Sequence, residues 1–232
     1  MKLPRLPLFI LALLAAAGMA CAQAQDGEWV SYRDAYRAMV VFEKYGQPKQ
    51  FLQHHYQVSP KEGATLDGVR LTLSGKTTRL DLPLDAAGRA VFPLLKAAYD
   101  ENAVLALNRK RSQYTFQARV SIVVRPDGVY EAADLRSACE QALNYQRYAD
   151  GAAYRNRKCV GVRFAFARKA EADVRVRKAG HDGAALPAQD GPAFMDDADD
   201  RFRTVNYRFA DWPEPGQVVS RNAPLAIAPL YD

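Results

Sequence analysis

The segment Tyr114-Thr115-Phe116-Gln117-Ala118-Arg119-Val120-Ser121-Ile122-Val123-Val124 decides the fold class. In an extended chain Tyr114, Phe116, Ala118, Val120, Ile122 and Val124 share one face, while Thr115, Gln117, Arg119 and Ser121 share the other. Such alternation predicts an antiparallel strand with its apolar face on a core and its polar face toward water. The pattern recurs to either side. Val69, Leu71 and Leu73 alternate with Arg70, Thr72 and Ser74, and after Ser74-Gly75-Lys76 the leucines Leu80, Leu82 and Leu84 alternate with Arg79, Asp81 and Pro83. A hairpin with one apolar face is expected there. Val104 to Leu107 reads as a short strand. Val160, Val162, Phe164 and Phe166 predict another, with Gly161, Ala165 and Ala167 small enough on the reverse face to lie beneath a further element. Val174 and Val176 continue the theme.

Two segments switch to a helical period. Ser31 followed by Asp34 resembles a capping box, and Tyr32, Tyr36, Met39, Val40 and Glu43 recur at three- and four-residue intervals until Gly46 and Pro48. The tyrosines read as the core side of this helix rather than as a binding face. A second helix is expected over 131–148, after the Pro126-Asp127-Gly128 turn, with Leu135, Cys139, Ala142 and Leu143 on one stripe. The expectation is a mainly β fold: an antiparallel β-sandwich-like domain with two amphipathic helices, α+β being the alternative.

The chain divides accordingly. Residues 27–178 form the strand-rich core domain, and 179–200 read as an exposed Ala/Gly/Asp-rich loop without periodicity. Residues 201–232 return to strands, in which Val205, Tyr207 and Phe209 alternate. Val218, Leu225 and Ile227 are expected in edge strands, because Pro213, Pro215, Pro224 and Pro229 restrict central positions.

Residues 1–22 read as an export signal. Lys2 and Arg5 precede an apolar run from Leu6 to Ala17, and Ala20-Cys21-Ala22 fits a cleavage site. The run falls short of the roughly 20 residues of a spanning helix, and no later stretch supplies one. Lipidation of Cys21 is the minor branch, since Gly18 stands where a lipobox carries a leucine-like residue. A periplasmic or secreted location follows, and with it an oxidising compartment in which Cys139 and Cys159 are expected to form one structural disulfide. The pair is not C-x-x-C, so a redox role has little to support it.

The chain has 232 residues, with 49% hydrophobic and 25% charged side chains, ordinary for a folded protein. The formal charge of +6 becomes +4 once Lys2 and Arg5 are removed (6 − 2 = 4). This mild basicity favours anionic neighbours weakly, and no nucleic-acid motif accompanies it.

Chemical motifs are few. Gly75-Lys76-Thr77 ends like a P-loop, but position 70 is Arg rather than Gly, and no helix follows to face a phosphate. His54, His55 and His181 are the only histidines. The first two would point to opposite faces of a strand, and neither H-E-x-x-H nor G-x-S-x-G occurs. Asp196, Asp197, Asp199 and Asp200 could offer oxygens to calcium, yet they lack EF-hand order and read as a solvated loop tip. No catalytic residue, metal ligand or cofactor site is assigned. The one candidate binding surface is basic and aromatic: Tyr145, Arg147, Tyr148, Tyr154, Arg155, Arg157 and Lys158. Tyrosine faces can stack on sugars, and arginine can fork onto phosphate or carboxylate. A second basic run, Asn108 to Arg111, precedes the deciding strand.

The stretch Leu82-Pro83-Leu84-Asp85-Ala86-Ala87-Gly88-Arg89, then Phe92-Pro93 and Tyr99 to Asn108, resembles uncharacterised exported proteins of proteobacteria. The resemblance implies an envelope protein and carries over no site. The leading expectation is a non-enzymatic envelope protein that binds a protein, a glycan or an anionic surface. The rival is a periplasmic hydrolase of cell-wall or surface polymer, which two converging carboxylates in a deep pocket would favour. A third reading is a structural domain that self-associates through a sheet edge.

Overall fold

A computed structural model describes residues 29–178, 181–198, 200–213 and 215–232; residues 1–22, read above as an export signal, and with them Cys21, lie outside these. In chain order the elements are β1 (Trp29–Ser31), α1 (Tyr32–Lys44), β2 (Leu52–Pro60), β3 (Leu71–Ser74), β4 (Arg79–Leu82), β5 (Arg89–Ala90), α2 (Lys96–Asp100), β6 (Val104–Leu107) and β7 (Tyr114–Ile122). There follow β8 (Val129–Glu131), α3 (Ala132–Ala149), α4 (Gly151–Tyr154), β9 (Cys159–Ala167), β10 (Val174–Lys178) and β11 (His181–Ala185). The last are β12 (Ala188–Gly191), β13 (Phe202–Arg208), β14 (Gln217–Ser220) and β15 (Ala226–Tyr231).

The deciding segment forms β7 inside a seven-stranded sheet of order β12-β13-β9-β15-β7-β2-β5. Two four-stranded sheets, β1-β6-β3-β4 and β11-β10-β14-β8, complete the fold, and the strand pairs are antiparallel throughout. The fold is mainly β, antiparallel and of the α+β kind. The predicted hairpin is β3–β4, with Leu71 opposite Leu82.

One face of the large sheet carries the core. Under α3, Leu135, Ala138 and Ala142 meet Val162, Phe164 and Phe166 of β9 and Ile227 of β15, and Val174 and Val218 of a small sheet join them. Under α1, Tyr32, Ala35 and Met39 meet Tyr56 and Val58 of β2 together with Leu71, Leu73 and Leu105 of the other small sheet. Helices and small sheets thus form a single second layer. Ser31 caps α1 as expected, accepting from the Asp34 amide at 3.3 Å. The buried stripe of α1 is Tyr32, Ala35, Met39 and Phe42, whereas Glu43 is exposed. Gly128 closes the turn before α3 at φ +65°, where any Cβ would stand 2.2 Å from the Ser220 carbonyl oxygen.

Three regions differ from the sequence reading. β2, unpredicted, pairs with β7 from Leu52 opposite Ile122 to Pro60 opposite Tyr114. Residues 179–200 hold β11, β12 and a buried stretch in which Ala193 is 0% and Phe194 3% exposed, so the segment is not simply an exposed loop. β14 and β15 are internal rather than edge strands. Pro229 is tolerated in β15 because it faces Val162 of β9 on one side and an opening on the other.

Candidate functional site

Alternation alone sends Thr115, Gln117, Arg119 and Ser121 to water, and for two of them this is corrected. Arg119 is 7% exposed and Ser121 0%: a strap, residues 192–197, covers Arg119, while Gln53 and Arg89 donate to the Ser121 hydroxyl. The strap is fastened by charge. Arg119 donates through Nη1 to Asp196 at 2.6 Å, through Nη2 to Asp197 at 2.7 Å, and through Nε to Gln57 Oε1 at 2.6 Å. Its guanidinium carbon lies 4.3 Å from the centre of the Phe194 ring. Gln57 and Ser59 donate to Asp197 as well, at 3.1 and 3.4 Å. Arg163 adds a second tether, from Nη1 to the Pro192 carbonyl at 3.0 Å. Burial pushes the Asp197 carboxyl above its usual range, and Arg119 draws it back. Asp197 is therefore no solvated loop tip: its side chain is 3% exposed, against 55% for Asp196.

The sheet is split beside this network. β15 pairs with β7 only at Ile227 opposite Ile122, although it follows β9 along most of its length. Pro229 has no amide hydrogen to offer a ladder at the opening. The gap is a cavity of about 260 Å³ lined by Arg119 and Val120 from β7 and Ala228, Pro229 and Tyr231 from β15. On the helical side Gln146, Ala153, Tyr154 and Arg157 close it, and on the strap side Phe194, Met195 and Asp196 do. The Tyr231 hydroxyl is buried and has no hydrogen-bond partner among the described residues. Burial raises the Tyr231 and Tyr154 phenols, so both hydroxyls keep their protons at neutral pH. The two rings meet edge to face with centres 5.8 Å apart.

Three of the seven residues of the predicted basic and aromatic surface, Arg147, Tyr154 and Arg157, belong to this cavity's wall or its support. Cys139 and Cys159 form a disulfide, with Cα atoms 5.9 Å apart and a sequence separation of 20. The bridge ties α3 to the start of β9, where Cys159 is the register partner of Tyr231. It also closes the arm that carries Tyr154 and Arg157. Asp150 caps α4 by accepting from the Ala153 amide at 3.2 Å. Arg147 clamps the arm, donating to the carbonyls of Tyr154 at 3.4 Å and Arg157 at 2.8 Å. Tyr145 does not belong to a surface: it is 5% exposed and packs edge-on against Phe42 and Tyr45. Tyr148 is 57% exposed, beside Tyr45. Arg155 and Lys158 are exposed and do not line the cavity. The structure thus brings together Tyr154 and Arg157, with Arg147 behind them. It adds Arg119, Asp196, Gln146 and Tyr231, which the sequence reading did not place at a site.

The remaining motifs are structural. The Gly75-Lys76-Thr77 turn is occupied by the Glu101 carboxylate, which accepts from the Thr77 amide at 2.7 Å and the Thr78 hydroxyl at 2.6 Å. His54 and His55 do point to opposite faces of β2. His54 lies in the core, its ring centre 4.7 Å from that of Phe42, and burial lowers its pKa to about 4. Burial also lowers His55, whose neighbours include Arg89 and Asp85. Arg89 is itself committed to Asp85 at 2.7 Å and to the Leu225 carbonyl. No group of three or more metal-binding side chains stands together among the described residues, and no helix there is long and apolar enough to cross a membrane. Models of protein families, curated proteins and solved structures were all compared with this chain, and none matches it.

Proposed function

We propose that this is a binding protein of an oxidising compartment, periplasmic or secreted, which holds a small polar ligand in the cavity between β7 and β15. The observation that carries the reading is the opening between β7 and β15, whose polar lining is Arg119, Arg157, Tyr154, Gln146 and Asp196, with the buried, unpartnered hydroxyl of Tyr231 in its wall. A buried hydroxyl left unsatisfied costs roughly 1–3 kcal/mol, and a ligand atom would supply the missing partner. About 260 Å³ is below the roughly 300–1,000 Å³ of a drug-sized pocket. This suits a free small molecule or the end of a larger one, and it replaces the broad surface suggested by the sequence. The disulfide supports the oxidising compartment, and the signal-like residues 1–22 support export.

A hydrolytic role has less support. Two-carboxylate hydrolysis needs a pair of acids about 5–9.5 Å apart on one cleft. Asp196 is the one carboxylate in the described cavity lining, and it is held by Arg119.

The test is native mass spectrometry after incubation with the low-molecular-mass fraction of an envelope extract. The wild-type chain should gain a discrete mass that Tyr231→Phe weakens and Arg157→Ala abolishes. No added mass on the wild type, or the same mass on both variants, would contradict the proposal.

A further inference from the structure

Resting on that reading of the cavity, we infer that its ligand is a small zwitterion, a cationic nitrogen and an anionic group joined by a few bonds, as in a free amino acid or a betaine. The lining carries both signs of charge. On the strap side one guanidinium, Arg119, is shared between two carboxylates, Asp196 and Asp197, and of these three side chains Arg119 and Asp196 line the cavity. The Asp197 side chain is 3% exposed and accepts two further hydrogen bonds, from Gln57 and Ser59, so the carboxylate that the cavity meets is the half-exposed Asp196. On the arm side stands Arg157. Its carbonyl is used by Arg147, while its guanidinium has no ion pair or hydrogen bond among the described residues.

A purely anionic ligand would satisfy Arg157 and confront Asp196; a purely cationic one would do the reverse. A zwitterion meets both walls, and in a partly enclosed site each mismatch is more costly than in bulk water. The space between the charges fits as well. Tyr154, Tyr231 and Phe194 supply aromatic surface, on which a cationic nitrogen is favourably placed.

Calorimetric titration of the disulfide-intact chain with four probes tests this: L-leucine, glycine betaine, isoamylamine, and 4-methylpentanoate. L-leucine should bind at least tenfold more tightly than isoamylamine or 4-methylpentanoate, which each keep one charge, or glycine betaine should exceed both by that margin. Leucine above betaine would assign the site to amino acids, with N–H donors to Asp196. Betaine above leucine would assign it to methylated ammonium on the aromatic rings. Arg157→Ala should reduce the preferred zwitterion to the level of isoamylamine, and Asp196→Asn to that of 4-methylpentanoate. Should Asp196→Asn lower the melting temperature, the exposed Arg157→Ala carries the comparison. Single-charge probes that bind as tightly as the zwitterions would overturn the inference. If neither zwitterion binds while an extract component is still captured and lost in Arg157→Ala, the zwitterion is wrong and the cavity reading survives. If that capture fails too, both fall.

Discussion

The two faces of the seven-stranded sheet are closed by different physics. Beneath α3 the contacts are Val162, Phe164, Phe166 and Ile227, all at most 1% exposed, and burial of apolar area holds them. On the strap face Gln57, Arg119, Ser121 and Thr204 are buried too, at 7% exposed or less, yet each polar group must find a matched partner. Apolar packing tolerates rearrangement. A buried charge network does not, because removing one member strands the others in a low-dielectric setting. The helical face therefore supplies bulk stability, and the strap face fixes the position of Asp196 and Phe194 at the cavity.

The largest effects should separate the two faces by kind rather than size. Phe164→Ala should cost about 3–5 kcal/mol in urea unfolding, and Arg119→Ala about 3–5 kcal/mol by leaving Asp197 unpaired. Only the second should be rescued by a companion: Arg119→Met with Asp197→Leu should recover most of the loss. If that pair is as unstable as Arg119→Ala alone, the strap face is not held by its charges. Next in size is the disulfide. Replacing both cysteines by Ala should cost about 3 kcal/mol on the chain-entropy model, and proteolysis within 150–158 should speed up as the arm loosens.

The helical face has one titratable intruder, His54. Its folded pKa of about 4 lies below the ordinary 6.5, so the buried neutral form stabilises the fold above pH 6.5. As pH falls, the unfolded chain binds the proton first, and the contribution is lost down to pH 4. At pH 5 the loss is about 2 kcal/mol. Between pH 7 and 5 the wild type should lose about 2 kcal/mol more than His54→Leu, which keeps the contribution of His55; equal pH dependence would remove His54 from the account. The smallest effect is at the cavity rim, where Arg157→Ala should change stability by less than about 0.5 kcal/mol. A larger change would make Arg157 part of the scaffold.

Legibility from the sequence follows the same division. β7, β9, the β3–β4 hairpin, α1, α3 and the disulfide were readable, since each declares itself by a local period, a cap or a cysteine pair. β2 was not. Leu52, His54, Tyr56 and Val58 share its core face, and the histidine breaks the apolar signal. Arg119 was misread for a deeper reason. A polar face that meets water and one that meets a buried network show identical alternation, and the partners that decide it, Asp196 and Asp197, lie 77 and 78 residues away. The site was half legible: Tyr154 and Arg157 stood out as a basic aromatic run, while Tyr231 was hidden because nothing local shows that β15 parts from β7.

Hydrogen exchange at the strap, in the wild type and in Arg119→Met, tests the central claim most directly. The Asp197 amide, bonded to the Phe194 carbonyl at 3.1 Å, should be protected in the wild type and exchange freely in the variant, with α3 and β9 unchanged. Free exchange of the strap in both proteins, or loosening of the whole sheet in the variant, would contradict a polar face closed by its own charge network.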